Sequence, residues 1–214
     1  TVRSWETAGQ YFKASPRVVR LMPFGYFVKW AECGSELCQE SPTLALCYFE
    51  ASPGAMARLR SRHIEAWAGL GRSLYKGTWK SSTLSCKFFE SSTVLLECMS
   101  VPELERFVAF LETLSRRSYD LSMECLVLGQ KLFPLLGDHK DVFISLVSAV
   151  LETNWRQVKG LFEAATSALP AVEPEQRLRF LDLADRVRVS GLTNVPAAML
   201  EVSRSLERLD GESH

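Results

Sequence analysis

The sequence predicts an all-α fold, a right-handed solenoid of five to six antiparallel helix pairs. Two hydrophobic boxes recur along the chain at an interval of about 38 residues. Within one of them, small or apolar residues fall at offsets of 3, 4 and 7, which is one face of a helix. No sustained period-2 alternation flanked by hairpin turns occurs, so no sheet is expected.

The first box is an aromatic or apolar pair followed by an acidic or polar residue and small residues. It reads Tyr11-Phe12-Lys13-Ala14-Ser15-Pro16, then Tyr48-Phe49-Glu50-Ala51-Ser52-Pro53, then Phe88-Phe89-Glu90-Ser91-Ser92-Thr93. Weaker or shorter copies begin at Val127-Leu128, Leu161-Phe162 and Met199-Leu200. Between these boxes lie the anchors Trp30, Trp67, Phe107, Leu146 and Phe180. Each anchor opens a buried stripe: Cys33, Gly34 and Leu37 follow the first, and Leu70, Gly71 and Leu74 the second. Phe110, Leu111 and Leu114 follow the third, Ala149, Val150 and Thr153 the fourth, and Leu183, Ala184 and Val187 the fifth. The expected unit is an anchor helix paired with a box helix. A single pair cannot bury its apolar face alone, so pairs must stack.

Helix boundaries follow in chain order. Ser41-Pro42 places a capping side chain before a first-turn proline, where the missing N–H does no harm. The stretch Ser81-Ser82-Thr83 reads as another N-cap. Ser100-Val101-Pro102-Glu103 is a capping box. Asp138 and Asp141 put acid near the positive end of the helix holding Phe143. Glu173-Pro174-Glu175 and Asn194-Val195-Pro196 open the last two helices, and Gly137 and Gly191 sit where helices stop. Pro16, Pro53, Pro134 and Pro170 mark the ends of box helices.

The 214 residues are 47% hydrophobic and 23% charged, which excludes a disordered chain, a collagen and a mucin-like stalk. Net charge is zero; residues 1–100 carry 12 basic and 8 acidic side chains, a mild asymmetry that names no partner. A dedicated nucleic-acid binder would carry a basic excess. No run of 18 apolar residues occurs, so no transmembrane helix is expected. The chain opens Thr1-Val2-Arg3, and is expected to be a piece of a longer protein whose other domains hold the activity. Most of the six cysteines, at 33, 38, 47, 86, 98 and 125, occupy places where a helix core wants a small apolar residue. They read as reduced, buried thiols of a cytoplasmic protein. No C-x2-C pair exists, and no zinc site is expected.

The anchor half of the unit resembles the tetratricopeptide repeat family. The family's W-x2-L-G-x2-Y is matched by Trp67-x2-Leu70-Gly71-x2-Leu74 and less fully by Trp30-x2-Cys33-Gly34-x2-Leu37. Its A-x3-F-x2-A is matched in part by Ala8-x3-Phe12-x2-Ser15, Ala45-x3-Phe49-x2-Ser52 and Ser85-x3-Phe89-x2-Ser92. The interval here mostly exceeds that family's 34 residues and the glycine is gone from Phe107 onward, features closer to HEAT-like two-helix repeats. More loosely, Y-F-x-A-S-P is similar to helical segments that accompany von Willebrand A-type domains in some bacterial proteins. The resemblance implies a non-enzymatic scaffold.

Catalytic constellations are incomplete. His63-Ile64-Glu65 has the H-x-E of zinc deaminases without the P-C-x-x-C that completes the metal shell. Gly71-Arg72-Ser73-Leu74-Tyr75 lacks the second glycine of a nucleophile elbow, and no phosphate loop occurs. His139 and His214 stand alone. Glu50, Glu90, Glu163 and Glu201 recur after the box aromatics, but equivalent places in packed helices lie about 10 Å apart, too wide for a catalytic pair. No enzyme activity and no cofactor are expected.

The expected function is binding of a protein or peptide partner, a neighbouring domain of the same polypeptide among the candidates, on the concave face. Residues just off the buried stripe would line it: Arg72, Tyr75 and Lys76, then Glu112 and Arg116, with Trp155 beyond. Trp79 and Trp155 lie off the anchor register and suit either an interface or a cap on the inter-helix core. The alternative is a nucleic-acid-binding helical repeat, using Arg58, Arg60, Arg62, Lys76, Lys80 and Lys87 interleaved with Tyr75 and Trp79.

Overall fold

The structure is a computed structural model that describes residues 2–77, 82–190 and 194–211, with side chains from residue 5 to 203 within those limits. Trp79, Lys80, Ser81, Gly191 and His214 lie outside the described residues. Among the described residues the protein is all-α. The helices are α1 (Val2–Val18), α2 (Phe24–Glu40), α3 (Pro42–Met56), α4 (Ile64–Gly77), α5 (Ser82–Cys98) and α6 (Val101–Ser115). They are followed by α7 (Tyr119–Leu136), α8 (Lys140–Asn154), α9 (Val158–Ala168), α10 (Arg177–Val189) and α11 (Val195–Gly211). No described helix is long and apolar enough to cross a membrane.

The chain divides into two compact units, Thr1–Arg116 and Arg117–His214. In the first, α1, α3 and α5 pack in sequence as one layer, and α2, α4 and α6 as another. Helix α2 also packs on α3, and α4 on α5. In the second, α7, α9 and α11 form one layer, α8 packs on α10, and the layers meet where α8 touches α9 and α10 touches α11. Elements two apart in the chain are therefore neighbours, as in a helical array.

Packing explains why Trp30 and Trp67 are large and the residue four places on from each is glycine. Trp30 and Trp67 are fully buried. Each removes ~150–250 Å² from water, roughly 4–6 kcal/mol of transfer free energy. The indole Nε1 of Trp30 donates to Ser52 Oγ at 2.7 Å, and that of Trp67 to Ser92 Oγ at 2.8 Å. Both serine hydroxyls in turn donate to carbonyls one turn back, of Tyr48 and Phe88. The ring of Phe49 rests on the backbone of Gly34 and that of Phe89 on Gly71, where any Cβ would overlap the ring. Phe107, Leu146 and Phe180 are buried too. In the second unit the ring of Phe143 meets that of Phe162 edge-on at 5.1 Å, and Gly160 brings α9 against Pro196 of α11.

Box positions are not uniform in burial. Tyr48, Phe49, Phe88, Phe89, Leu161 and Phe162 are core residues, whereas Phe12 and Val127 are exposed.

Helix ends mostly follow the expected chemistry. Ser41 Oγ accepts from Leu44 N at 3.4 Å. Ser100 and Glu103 form the full reciprocal capping box. Asn194 Oδ1 accepts from Ala197 N at 3.1 Å, and Gln157 adds a second cap to α11 by accepting from Val195 N. Gly137 stops α7 with a φ of 57°, a backbone region that favours glycine. Pro16, Pro53 and Pro134 lie inside the final turns of α1, α3 and α7 instead of ending them, and Pro170 sits in the 3₁₀ turn after α9. Glu173-Pro174-Glu175 opens a 3₁₀ turn, Pro174–Gln176, and α10 begins after it.

One expectation is overturned. Cys47 and Cys86 are bonded to each other, tying α3 to α5 across 39 residues with Cα atoms 5.2 Å apart. They can be joined because both face the contact between two helices of one layer, at the Cα separation a disulfide needs. Cys33, Cys38, Cys98 and Cys125 are thiols outside any disulfide. Structural disulfides belong to oxidising surroundings, so the cysteines no longer support a cytoplasmic setting.

Candidate functional site

The expected groove residues of the first unit lie on the layer of anchor helices, and charge couples one helix to the next. Glu36 and Glu40 are four apart on α2 and therefore share a face. Between them they hold Arg72 of α4, with Nη2 2.7 Å from Glu36 and Nε 3.2 Å from Glu40. Lys76, one turn along α4, reaches the same Glu40 oxygen at 3.2 Å. Lys29 of α2 pairs with Glu65 of α4 at 2.5 Å. On the other side of α4, Ser73 donates to the Glu112 carboxylate of α6. The hydrogen bond that Arg72 donates to Glu36 is the main reason its guanidinium pKa is held above the ordinary value, and the one Lys29 donates to Glu65 does the same for that ammonium.

Tyr75 is a lining residue in register only. It is 9% exposed, and its hydroxyl donates to the backbone carbonyl of Glu40 at 3.4 Å. Lys76 is exposed, Arg72 and Glu112 are half-buried, and Arg116 is exposed at the C-cap of α6. Trp155 belongs to the second unit, half-buried in a 3₁₀ turn with the Arg156 guanidinium 5.4 Å from its ring. The structure thus brings Arg72, Tyr75 and Lys76 together around Glu40, and places Glu112 beside Ser73 at the far edge of α4.

Sequence reasoning missed the acidic half of this arrangement: Glu36, Glu40 and Glu65. The signal was present, because Glu36 precedes Arg72, and Lys29 precedes Glu65, by 36 residues, close to the interval of the anchors. Charges of opposite sign one interval apart on successive helices meet when those helices lie side by side. A shallow cavity of about 200 Å³ opens in this face, lined by Lys29, Glu32, Cys33, Glu36, Ala68 and Arg72. Burial, with the Glu36 carboxylate adding to it, pushes the Cys33 thiol up to about 11. It is therefore a thiol and not a nucleophilic thiolate at neutral pH.

The other basic residues divide. Arg58 is taken up by Glu97, with Nε at 2.7 Å, and Lys87 by Glu90 at 2.9 Å. Arg60 and Arg62 border a depression of about 420 Å³ with Leu59, Met99 and Val101 on its floor. The ring Nε2 of His63 accepts from Arg62 Nε at 3.1 Å. Glu50, Glu90, Glu163 and Glu201 are all exposed. Among the described residues, no group of three or more His, Cys, Asp or Glu side chains is placed to hold a metal ion. No protein-family model, curated protein or solved structure matches the chain.

Proposed function

We propose that the chain is a non-enzymatic scaffold. In this reading it is a right-handed solenoid of helix pairs recurring about every 38 residues, and it binds a protein or peptide partner on its anchor-helix face. The observation that carries the reading is the recurrence of one contact set. Trp30–Ser52 with Gly34–Phe49 in one helix pair corresponds to Trp67–Ser92 with Gly71–Phe89 in the next. Pairs joined this way spend their apolar faces on each other. The anchor helices keep an outer face of exposed charge, including Lys29, Glu65 and Lys76. Polar faces held rigid by a buried lattice suit recognition of a complementary charged segment more than chemistry. The nucleic-acid alternative has less behind it, since Arg58 and Lys87 are already met by carboxylates and the chain carries no net basic charge.

The test is site-specific photocrosslinking in the intact protein in its native cell. A photoreactive residue replaces exposed Gly69 on α4, which has open space above it, or exposed Glu90 on α5 as control. The proposal expects one discrete protein adduct from position 69, absent from position 90 and reduced by Lys76→Glu. Adducts from position 90 alone, or an RNA adduct at position 69, would remove it.

A further inference from the structure

Helix α1 presents an exposed apolar stripe. Trp5 is 79% and Phe12 70% exposed, and Val19, just past the helix, is exposed as well. At intervals of seven they share one face.

The chain itself shows how such a face is covered. Tyr11 stacks on Trp30 at 5.4 Å and meets Phe49 edge-on at 5.4 Å. Tyr48 repeats this, at 4.9 Å from Trp67 and 5.6 Å from Phe89. The ring beside each tyrosine is set alike: Tyr11–Phe12 at 5.3 Å and 73°, Tyr48–Phe49 at 5.4 Å and 64°. The two steps differ beyond the phenylalanine. Phe49 is met edge-on by Trp30 at 5.2 Å and rests on Gly34. Phe89 is met by Trp67 at 5.1 Å and rests on Gly71. Phe12 has the matching geometry, and among the described residues no indole or glycine lies against it. It also extends the same row of rings that forms the α2–α3 interface, because Tyr11 touches both Trp30 and Phe49.

We infer that the face of α1 bearing Trp5 and Phe12 is a docking site for an amphipathic helix carrying an aromatic residue and, four positions later, a glycine. The ring needs that glycine. A larger side chain there overlaps the phenylalanine and holds the helix away, so the site selects by the absence of a side chain. This surface is separate from the charged face of the preceding proposal, and neither depends on the other.

The probe is a copy of residues 61–77, which contain Trp67 and Gly71, fused directly ahead of residue 1 of the full chain. The copied glycine then precedes Phe12 by 18 residues, as Gly71 precedes Phe89. The thermal midpoint should rise by about 4–8 °C, the shift that covering two aromatic side chains gives in a chain of this size. The rise should vanish when the copied glycine is leucine, and when Phe12→Ala is made in the fused protein. Phe12→Ala without the fusion should leave the midpoint nearly unchanged. If the fused protein does not fold, the free 61–77 peptide is titrated into the unaltered chain. Phe12 ring resonances should then shift with the glycine peptide and not with its leucine form. No rise or shift with glycine, or an equal one with leucine, overturns the inference. So does a dimer of the unaltered chain that Phe12→Ala dissolves, since a second copy would then be the occupant.

Discussion

Two glycines two residues apart on α4 should respond to the same substitution with opposite signs. Replacing glycine by alanine in a helix normally stabilises by about 0.5–1 kcal/mol, because the unfolded chain loses freedom. Gly69 is exposed, with nothing within 4 Å of a new Cβ, and Gly69→Ala should show that ordinary gain. Gly71 is different. A Cβ there would meet Phe89 Cε1 at 2.8 Å, against at least 3.4 Å for ordinary contact, with Cζ nearer still. The ring cannot retreat cheaply, because Phe89 is fully buried and its neighbours Tyr48, Trp67 and Phe88 are too. Overpacking of this kind costs up to about 3 kcal/mol. Less the helix gain of about 1 kcal/mol, Gly71→Ala should destabilise by about 2 kcal/mol. Urea unfolding followed by circular dichroism measures both variants. Phe89→Leu removes the atoms that clash, so the penalty of Gly71→Ala should shrink in that background, a coupling that a double-mutant cycle isolates. A Gly71→Ala variant as stable as Gly69→Ala would refute the seat of Phe89 on Gly71.

Three further predictions concern the cysteines. Unfolded without reductant, the chain should titrate four thiols of its six cysteines, and all six after reduction. Breaking the Cys47–Cys86 bond should cost about 4 kcal/mol, the chain-entropy value for a loop closed across 39 residues, read as a lower urea midpoint for Cys47→Ser/Cys86→Ser. Burial pushes the Cys125 thiol up to about 12, from an ordinary value near 9. The neutral form is the one favoured by folding, so this contribution to stability is complete below pH 9 and is lost as pH rises toward 12. A unfolding midpoint that falls above pH 9 in the parent and stays flatter in Cys125→Ala checks it; identical profiles would contradict it.

Much of the architecture was legible because it is written in spacing. Trp30, Trp67 and Phe107 recur with small or apolar residues behind them, and a helix must turn those residues to one side. The glycine seats were visible as small residues, but what they receive comes from the next helix. Only the three-dimensional pairing identifies Phe49 and Phe89 as the rings concerned. Phe12 holds the same place in its box as Phe49; its exposure depends on which helix lies against it, which no local pattern encodes. Arg72, Tyr75 and Lys76 lie within five residues on α4, so their nearness to one another follows from the helix alone. Register could not show that Glu36 and Glu40 neutralise two of them while the third turns inward. Cys47 and Cys86 lie one interval apart, and that spacing was the unused clue to their bond.

The account rests on Trp30 and Trp67 occupying equivalent buried places, each giving its indole proton to a serine of the paired helix. Side-chain hydrogen exchange, read from the indole signals in a nitrogen-15 correlation spectrum and assigned with Trp→Phe variants, tests this directly. The indole protons of Trp30 and Trp67 should stay protected together, orders of magnitude longer than that of exposed Trp5. Exchange of either one as fast as that of Trp5 would contradict the account.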